Sequence, residues 1–346
     1  MSKVKAYAAP SEAAPLVATT VERRDVGSDD VQFDVLFCGI CHSDIHTVRG
    51  EWGKQTYPLA PGHELAGKVT AIGKNVSKFS VGDHVGVGCL VNSCRECEPC
   101  KTGHEQFCQK GAIATYGSID RDGTVTQGGY TQSAVVDQNF VVHIPKNLPL
   151  DAAAPLLCAG STLWAPLKRW NAGPGKKVAI IGFGGLGHVG LKLAKAMGAE
   201  VTVLSHSDKK KDDALKMGAV AFHKMDASAF ELLAESFDLI LNTVSATVDT
   251  KAYFNLLKFD GAFVVIGADP TPTVSLSTSV GITKQRVFTL SLISGVQETQ
   301  DMLNFCSEHN VLPEIEVIPA SYINEAFDRV VASDVRYRFV IDTSTM

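Results

Sequence analysis

Residues 178 to 187 read Val178-Ala-Ile-Ile-Gly-Phe-Gly-Gly-Leu-Gly187. The apolar run indicates a buried strand, GxGxxG indicates a turn, and apolar residues then recur at helical spacing up to Met197. In this order the glycines let the backbone turn sharply and approach a pyrophosphate that faces the helix N-terminus. Glycine turns also occur for structural reasons alone, but this context favours dinucleotide binding. The predicted cofactor contacts in the turn are Gly182, Gly184, Gly185, Leu186 and Gly187.

The end of the next strand indicates which dinucleotide binds. Sites for NAD usually place an acidic residue there to bind the ribose 2′-hydroxyl, whereas this chain has Ser205. The hydroxyls of Ser205 and Ser207 and the ammonium of Lys210 can hold a 2′-phosphate, which a carboxylate would repel. The sequence therefore favours NADP(H). Two alternatives remain open: Ser207 or Asp208 caps the following helix, or Asp208 is a displaced ribose-binding acid.

Strands and helices alternate along the rest of this region. Apolar runs typical of strands follow at 201–204, 239–241, 262–266 and 287–293, with helical patterns between several of them. Such alternation predicts an α/β fold in which helices cover both faces of a parallel sheet.

The flanking segments have a different pattern. Residues up to about 150 contain short alternating runs broken by Gly, Pro and Asp, which indicates mainly β structure with functional loops. The tail has helical patterns at 298–309 and 324–332 and a strand-like run at 336–341, and we expect it to return to the first domain. Since no Pro/Gly-rich linker separates the domains, we expect a ligand cleft where they meet.

Length and composition narrow the class of protein. A chain of 346 residues exceeds the usual size of a single core, so two domains are expected. Hydrophobic residues make up 45% of the chain, as is ordinary for a folded globular protein. The net charge of −5 disfavours nucleic acid or an anionic membrane as a partner. No apolar run has the length of a signal peptide or a membrane span. The expected location is the cytoplasm, where the nine cysteines stay reduced and become candidate metal ligands or catalytic thiols.

Four of these cysteines follow the pattern CxxCxxCx7C and are Cys94, Cys97, Cys100 and Cys108. One tight loop can bring four thiolates around a zinc ion, and a site filled by four protein ligands is structural. Four free surface cysteines are the plain alternative. An iron–sulfur cluster fits less well, because the fourth cysteine comes eight residues after the third and no proline follows it. The mixed charges of the lobe disfavour a zinc ribbon that binds nucleic acid.

A second set of metal-ligating residue types lies in loops. Cys41, His63 and Cys158 can form a site of two sulfurs and one nitrogen, whose fourth position takes an alcohol or aldehyde oxygen. Glu64 can enter this zinc site when substrate is absent, and Asp44 can accept the second ring proton of His63. Taken alone, each of these residues is equally consistent with a packed or solvated side chain. Only their combination indicates a catalytic zinc.

The other three cysteines are assigned no chemistry. Cys38 and Cys41 do form a CxxC pair, but Cys38 ends an apolar strand run and is expected in the core. Cys89 and Cys306 are interpreted as small buried hydrophobes.

Together these motifs resemble those of zinc-dependent medium-chain alcohol dehydrogenases over essentially the whole chain, and within them the cinnamyl alcohol dehydrogenase type. Besides the cysteine lobe and the glycine turn, the resemblance rests on residues 41–46, 51–53, 61–64, 82–85, 157–160 and 336–342. It implies a GroES-like, mainly β catalytic domain at 1–154 with its zinc lobe at 94–108. A Rossmann NADP-binding domain would span 155–294, and residues 295–346 would return to the catalytic domain.

The resemblance also implies roles for single residues. Ser43 would hydrogen-bond the substrate oxygen and pass its proton by way of the cofactor ribose toward His46. Trp52 would line the substrate pocket, with ordinary packing as the alternative. The remaining implied cofactor contacts are His42 near the pyrophosphate, Thr162, Thr243 and Gly267 on the nicotinamide side, and Arg338 near a phosphate.

The predicted activity is the reversible, NADP(H)-dependent reduction of aldehydes to primary alcohols, with two zinc ions per chain and a broad range of aromatic and aliphatic substrates. The resemblance suggests a homodimer or homotetramer. The alternatives are an NAD-dependent polyol or secondary-alcohol dehydrogenase and a zinc-binding scaffold without catalysis. Residues 116–128 and 291–297 depart from the pattern of this type and border the expected pocket, which leaves the choice of substrate open.

Overall fold

The computed structural model describes residues 1–267, 274, 276 and 278–346. The chain divides into two compact units, of which one comprises Met1–Ser161 and Ser294–Met346 and the other comprises Thr162–Ile293. Within the described ranges, no helix is both long and apolar enough to cross a membrane.

The first unit is mainly β. Its strands are β1 (Ser2–Ala8), β2 (Val17–Arg23), β3 (Asp30–Gly39), β4 (Leu65–Ile72), β5 (His84–Val87), β6 (Leu90–Asn92), β7 (Ile113–Ala114), β8 (Ser133–Asp137), β9 (Val142–His143), β16 (Ile315–Pro319) and β17 (Arg338–Asp342). Its α-helices are α1 (His42–Val48), α2 (Glu98–Lys101), α3 (Leu150–Pro155), α10 (Val296–His309) and α11 (Ile323–Val331). A π-helical turn (Leu156–Gly160) follows α3 directly.

One seven-stranded sheet organises this unit. Its strands lie in the order β16-β17-β3-β4-β5-β9, and β8 pairs with β3. Strand β17 from the tail pairs antiparallel with β3, and Ile341 lies opposite Cys38. Alternate residues of β3 and β4, among them Val31, Phe33 and Leu65, are buried in one hydrophobic core. The tail therefore shares a sheet and a core with the amino-terminal part of the chain.

The second unit alternates strands with helices. Its strands are β10 (Lys177–Ile181), β11 (Glu200–Ser205), β12 (Ala221–Lys224), β13 (Phe237–Asn242), β14 (Leu257–Val265) and β15 (Val287–Leu290). Its described helices are α4 (Ser161–Arg169), α5 (Gly187–Ala196), α6 (Lys211–Met217), α7 (Ala227–Leu232), α8 (Thr250–Phe254) and α9 (Thr278–Ile282).

The six strands of the second unit form one parallel sheet. Their order is β12-β11-β10-β13-β14-β15, with the chain starting in the middle and winding outward to each side, as in dinucleotide-binding folds. In β10 the four residues from Val178 to Ile181 are all buried, which is expected when helices cover both faces of a sheet. The predicted α/β class with a parallel sheet is confirmed.

Two strands differ from the prediction. Strand β12 was not predicted, because only four residues pair there and they include a histidine and a lysine. The strand predicted at 287–293 ends at Leu290, since its partner strand β14 ends at Val265, the residue opposite.

Candidate active site and metal centres

The first unit brings the predicted metal ligands together in two groups. Cys94, Cys97, Cys100 and Cys108 form one group, and Cys41, His63, Glu64 and Cys158 form the other. In each group the ligand atoms all lie within 4.8 Å of one another, close enough for one ion to contact all four.

Backbone amides point at the sulfur atoms of the four-cysteine group. The Cys94 sulfur accepts hydrogen bonds from the amides of Glu96 and Cys97 at 3.5 and 3.4 Å. The Cys97 sulfur accepts one from the amide of Gln109 at 3.5 Å. The amides of Glu96 and Cys97 stabilise the thiolate of Cys94 and lower its pKa to about 6. Because the thiolate is the form that binds metal, this group fits a closed zinc site.

The four-cysteine lobe also contacts the start of helix α10 in the tail. The amide of Val296 donates a hydrogen bond to Oε2 of Glu105 at 3.2 Å, and a carboxylate is favourable at a helix N-terminus. A side chain on Gly295 would overlap the carbonyl of Gly103, so the two segments are in close contact. The folding of the lobe is therefore linked to that of the tail.

Three elements present the second group. Cys41 directly precedes α1, His63 and Glu64 lie in the loop before β4, and Cys158 lies in the π-helical turn. Such turns are rare and occur frequently at functional sites. All four side chains are buried, and Nε2 of His63 lies 3.2 Å from Sγ of Cys158.

Asp44, fully buried on α1, orients the residues of this group. Its Oδ1 accepts hydrogen bonds from Nδ1 of His63 at 2.9 Å and from the amide of Gly62 at 3.1 Å. Its Oδ2 accepts one from the amide of Cys41 at 2.9 Å and one from the hydroxyl of Tyr130 at 3.4 Å. The bond to the carboxylate places the ring proton on Nδ1, which leaves the Nε2 lone pair available for a metal.

The fourth residue, Glu64, forms a buried ion pair with Arg338 on β17. Burial raises the pKa of Glu64 to about 7, although the guanidinium of Arg338 acts in the opposite direction. Among the described residues, neither Oε2 of Glu64 nor Nε of Arg338 has a hydrogen-bond partner. Buried polar atoms without partners are uncommon, so this acceptor fits a cation and this donor fits an anionic group. The contact of Arg338 with a cofactor phosphate stays a prediction.

Helix α1 carries the residues predicted for proton transfer. Oγ of Ser43 lies 3.5 Å from Sγ of Cys41, so the hydroxyl lies beside the second metal-ligand group. Nδ1 of His46 is hydrogen-bonded to the carboxylate of Glu51. This bond leaves Nε2 of His46 as an acceptor, and that atom is buried without a partner in the described part of the chain.

Glu51 was not assigned a role from the sequence. It follows His46 by five residues, outside the three- and four-residue spacings at which helical side chains meet. The contact exists because α1 ends at Val48 and the chain turns back. The available signal was the position of Glu51 beside Trp52 in a segment that carries the family resemblance.

Aromatic rings stack on the exposed side of α1. The ring of His46 lies 4.8 Å from that of His42 and 5.1 Å from that of Trp52, both in stacked orientation. Partial desolvation and the nearby His46 lower the pKa of His42. Trp52 is 42% exposed, more than a core residue. The contacts of His42 with a pyrophosphate and of Trp52 with substrate stay predictions.

The three cysteines to which no chemistry was assigned differ in their surroundings. Cys38 and Cys306 are fully buried, as expected of small hydrophobes. For Cys89 this expectation is wrong, because the residue is only half-buried and its side chain interacts with that of Cys158. The general preference of cysteine for the protein interior does not indicate which side chains lie beside a particular cysteine.

The second unit holds the glycine turn at the carboxyl end of β10. Gly182 has a φ of +87°, in the left-handed region that favours glycine, and a side chain on Gly187 would overlap the carbonyl of Gly182. Gly184, Gly185 and Leu186 lie between them, and helix α5 begins at Gly187. The turn thus has the geometry that brings a helix N-terminus to a phosphate.

The residues predicted to select the cofactor lie at the end of β11. Ser205 is its last residue, and its Oγ accepts a hydrogen bond from the amide of Ser207 at 3.4 Å. Helix α6 begins at Lys211, and its N-cap is Lys210, whose side chain makes no capping bond. The alternative in which Ser207 or Asp208 caps this helix is therefore wrong. Asp208 as a displaced ribose-binding acid stays open.

Two of the other predicted cofactor contacts lie at the same edge of the sheet, and the third lies in helix α4. Thr243 follows β13, and its Oγ1 donates a hydrogen bond to the carbonyl of Ile181 at 2.8 Å. Gly267 follows β14, and its amide donates to the carbonyl of Asn242 at 3.1 Å. Thr162 is buried in the first turn of α4. In parallel sheets ligands bind at the carboxyl ends of the strands, where Thr243 and Gly267 lie.

Comparisons with known proteins place this arrangement in a family. The Alcohol dehydrogenase GroES-like domain matches residues 27–146, and the Zinc-binding dehydrogenase domain matches residues 185–308. The chain is 60% identical to NADP-dependent alcohol dehydrogenase C 1 of Mycolicibacterium smegmatis, over 100% of this chain and 99% of that protein.

Solved structures agree with this match. A cinnamyl alcohol dehydrogenase from Sorghum bicolor is 43% identical and superposes with a TM-score of 0.95, covering 99% of this chain and 98% of that one. A CAD from Helicobacter pylori complexed with NADP(H) is 41% identical, with a TM-score of 0.92 and coverage of 99% and 98%. The predicted fold class, a GroES-like domain combined with a Rossmann domain, is confirmed. The chain belongs to the zinc-dependent medium-chain alcohol dehydrogenases, and within them to the cinnamyl alcohol dehydrogenase type.

Proposed function

We propose that this protein is a zinc- and NADP(H)-dependent alcohol dehydrogenase that interconverts aldehydes and primary alcohols reversibly, with a broad range of aromatic and medium aliphatic substrates. The observation that carries the proposal is the buried group of Cys41, His63, Glu64 and Cys158, whose ligand atoms lie within 4.8 Å of one another. The NADP-dependence of the M. smegmatis relative and the NADP(H) complex of the H. pylori protein support the choice of cofactor.

Cys41, His63 and Cys158 would hold the catalytic zinc, and Cys94, Cys97, Cys100 and Cys108 the structural one. The glycine turn at 182–187 would bind the pyrophosphate of NADP(H), in a domain proposed to span 155–294. When bound, zinc stabilises negative charge on the substrate oxygen and NADP(H) supplies or accepts the hydride.

The chain itself must move a proton to or from the substrate oxygen. The Ser43 hydroxyl, placed beside Cys41, can donate a hydrogen bond to that oxygen and exchange its proton. His46 can receive the proton at Nε2, the acceptor that its bond to Glu51 leaves free. The hydrogen bond to Glu51 holds the imidazole in the orientation and tautomer that this transfer needs.

An Asp44→Asn variant tests the orientation of His63. The asparagine side chain keeps the shape of aspartate, but an NH2 donor replaces one of its two accepting oxygens and the negative charge is lost. His63 therefore loses the partner that fixes its tautomer. We expect zinc affinity at the catalytic site to fall by about 10- to 100-fold, the usual cost of losing such a partner. Titration with a competing chelator measures the change.

Asp30→Asn is the matched control for that variant. Asp30 is also a buried carboxylate of the first unit, paired with Arg24, but it contacts no proposed zinc ligand. Equal losses of zinc affinity in the two variants would contradict a specific role for Asp44.

A Ser205→Asp variant tests the cofactor site. A carboxylate at the end of β11 would repel the 2′-phosphate of NADPH and accept hydrogen bonds from the ribose of NADH. We expect the ratio of kcat/KM for NADPH to that for NADH to fall by at least about 10-fold, since like charges in contact cost over 1 kcal/mol.

Ser205→Ala removes the hydroxyl without adding charge and serves as the control. We expect this variant to lower kcat/KM for NADPH moderately and to leave kcat/KM for NADH unchanged. An unchanged ratio in Ser205→Asp would mean that other residues hold the 2′-phosphate.

Turnover tests the proposed function as a whole. Oxidation of NADPH and NADH is followed with a panel of aromatic and aliphatic aldehydes, and reduction of NADP⁺ and NAD⁺ with primary alcohols and polyols. Faster aldehyde reduction with NADPH supports the proposal. A preference for NAD⁺ and polyols would favour the polyol dehydrogenase alternative, and the absence of turnover with two bound zinc ions would favour a scaffold.

Assembly and location are part of the proposal. We propose a homodimer formed through β15, which ends the six-stranded sheet and carries the exposed Leu290, with Leu292 exposed just beyond it. A homotetramer is the alternative, and light scattering distinguishes the two. We propose the cytoplasm as the location, because both zinc sites need reduced thiolates.

A further inference from the structure

Cys89 lies next to the segment that carries Cys158. It occupies the bend between β5 and β6, and its carbonyl accepts a hydrogen bond from the amide of Thr115 at 3.1 Å. The preceding residue, Gly88, packs so closely on Leu157 that a Cβ there would lie 2.7 Å from the carbonyl oxygen of Leu157. The fold therefore holds the neighbours of Cys89 and of Cys158 in contact.

The side chains of the two cysteines also meet. The Cys89 side chain interacts with that of Cys158, and Cys158 interacts with Cys41 in turn. Cys41 and Cys158 belong to the proposed ligand set of the catalytic zinc, whereas Cys89 adds a third sulfur at its border. Cys89 is half-buried, so small molecules from solvent can reach it.

We propose that Cys89 and Cys158 form a reversible disulfide, which removes Cys158 from the catalytic zinc site and switches the enzyme off under oxidising conditions. Because Gly88 packs directly on Leu157, the two segments that carry these thiols already lie side by side, and no large rearrangement of the fold is needed to form this bond. A disulfide sulfur is no longer a thiolate, so Cys158 cannot remain a strong metal ligand. This inference rests on the proposed function of the zinc site.

A hydroperoxide is the oxidant that we propose. The Cys89 thiolate attacks one peroxide oxygen, so that an S–O bond forms, the O–O bond breaks and the leaving oxygen takes a proton. The Cys158 thiolate then attacks the sulfur of Cys89, forming the S–S bond as hydroxide leaves and is protonated to water. Each sulfur loses one electron and the peroxide gains two. A dithiol reductant reverses the reaction.

Oxidation of the zinc-loaded enzyme with hydrogen peroxide tests the proposal. Released zinc is measured with a metal-binding dye, and the disulfide is located by mass spectrometry of unreduced tryptic peptides. Cys89 lies in the peptide 79–95 with Cys94, and Cys158 lies in the peptide 147–168, so fragmentation must separate Cys89 from Cys94. We expect a Cys89–Cys158 cross-link and the loss of one zinc ion, both reversed by dithiothreitol with added zinc.

Cys89→Ser is the decisive variant and Cys306→Ala its control. Burial raises the pKa of Cys306 to about 12, so this thiol stays protonated and unreactive. We expect zinc release from the catalytic site to be at least about 10-fold slower in Cys89→Ser than in the wild type and unchanged in Cys306→Ala.

The same measurements can overturn the proposal. Equal zinc release in Cys89→Ser, a cross-link to any other cysteine, or oxidation of Cys89 to its sulfinic acid without a cross-link would each do so. The peptide map of the wild type distinguishes these outcomes even if the variant fails to fold. Failure of the proposed function is recognised separately, because the unoxidised enzyme would then lack its second zinc ion or its turnover.

Discussion

A Cys41→Ser variant is expected to lose at least about 1000-fold in kcat/KM for aldehyde reduction, because Lewis-acid stabilisation of the substrate oxygen is worth several kcal/mol. A neutral serine hydroxyl is a much weaker ligand for zinc than a thiolate. The substitution also removes one of the two sulfurs in the group that Cys41 forms with His63 and Cys158. Steady-state kinetics with NADPH and the zinc content of the purified protein measure the effect.

Cys38→Ser is the matched control for this variant. Cys38 lies three residues earlier, is fully buried and has no place in either ligand group. We expect it to lose stability while keeping two zinc ions and most of its activity when folded. Equal activity of Cys41→Ser and the wild type would contradict a catalytic zinc at this site. Loss of activity with both zinc ions retained would mean that Cys41 acts in another way.

Local patterns predicted the elements that hold the site. The run Val178–Ile181 and the glycine turn predicted β10 and the start of α5, because strand burial, glycine geometry and helical spacing all act within a few residues. The four-cysteine group was predictable for the same reason, since its ligands lie within fifteen residues of sequence. Such features depend little on the rest of the fold.

Contacts between distant segments could not be read from local patterns. The ion pair of Glu64 with Arg338 joins residues 274 positions apart and depends on the register of β17 against β3. The contact of Cys89 with Cys158 depends on the close approach of Gly88 to Leu157. Neither hydrophobic periodicity nor the preference of a residue type for the interior specifies these two contacts. The grouping of Cys41, His63 and Cys158 was predicted from the chemistry of zinc ligands, and the fold supplies the proximity that the sequence does not.

A Cys97→Ser variant is expected to lose the structural zinc and several kcal/mol of stability, which corresponds to a fall in Tm of roughly 10 °C or more. The lobe has few apolar residues to bury, and its helix α2 contains no buried residue. Bound zinc must therefore supply most of the free energy that orders it. Calorimetry and the zinc content measure these effects.

The contact between the lobe and helix α10 makes the same variant more informative. If the lobe unfolds, Glu105 no longer accepts the hydrogen bond from the amide of Val296, so faster hydrogen exchange is expected at the start of α10. Lys110→Gln is the matched control, because it breaks only an exposed ion pair with Glu96, and solvent screening leaves such a pair with little effect on stability. Unchanged Tm and two retained zinc ions in Cys97→Ser would contradict a closed structural site. Lost turnover in the folded variant that keeps the catalytic zinc would mean that the lobe also shapes the active site.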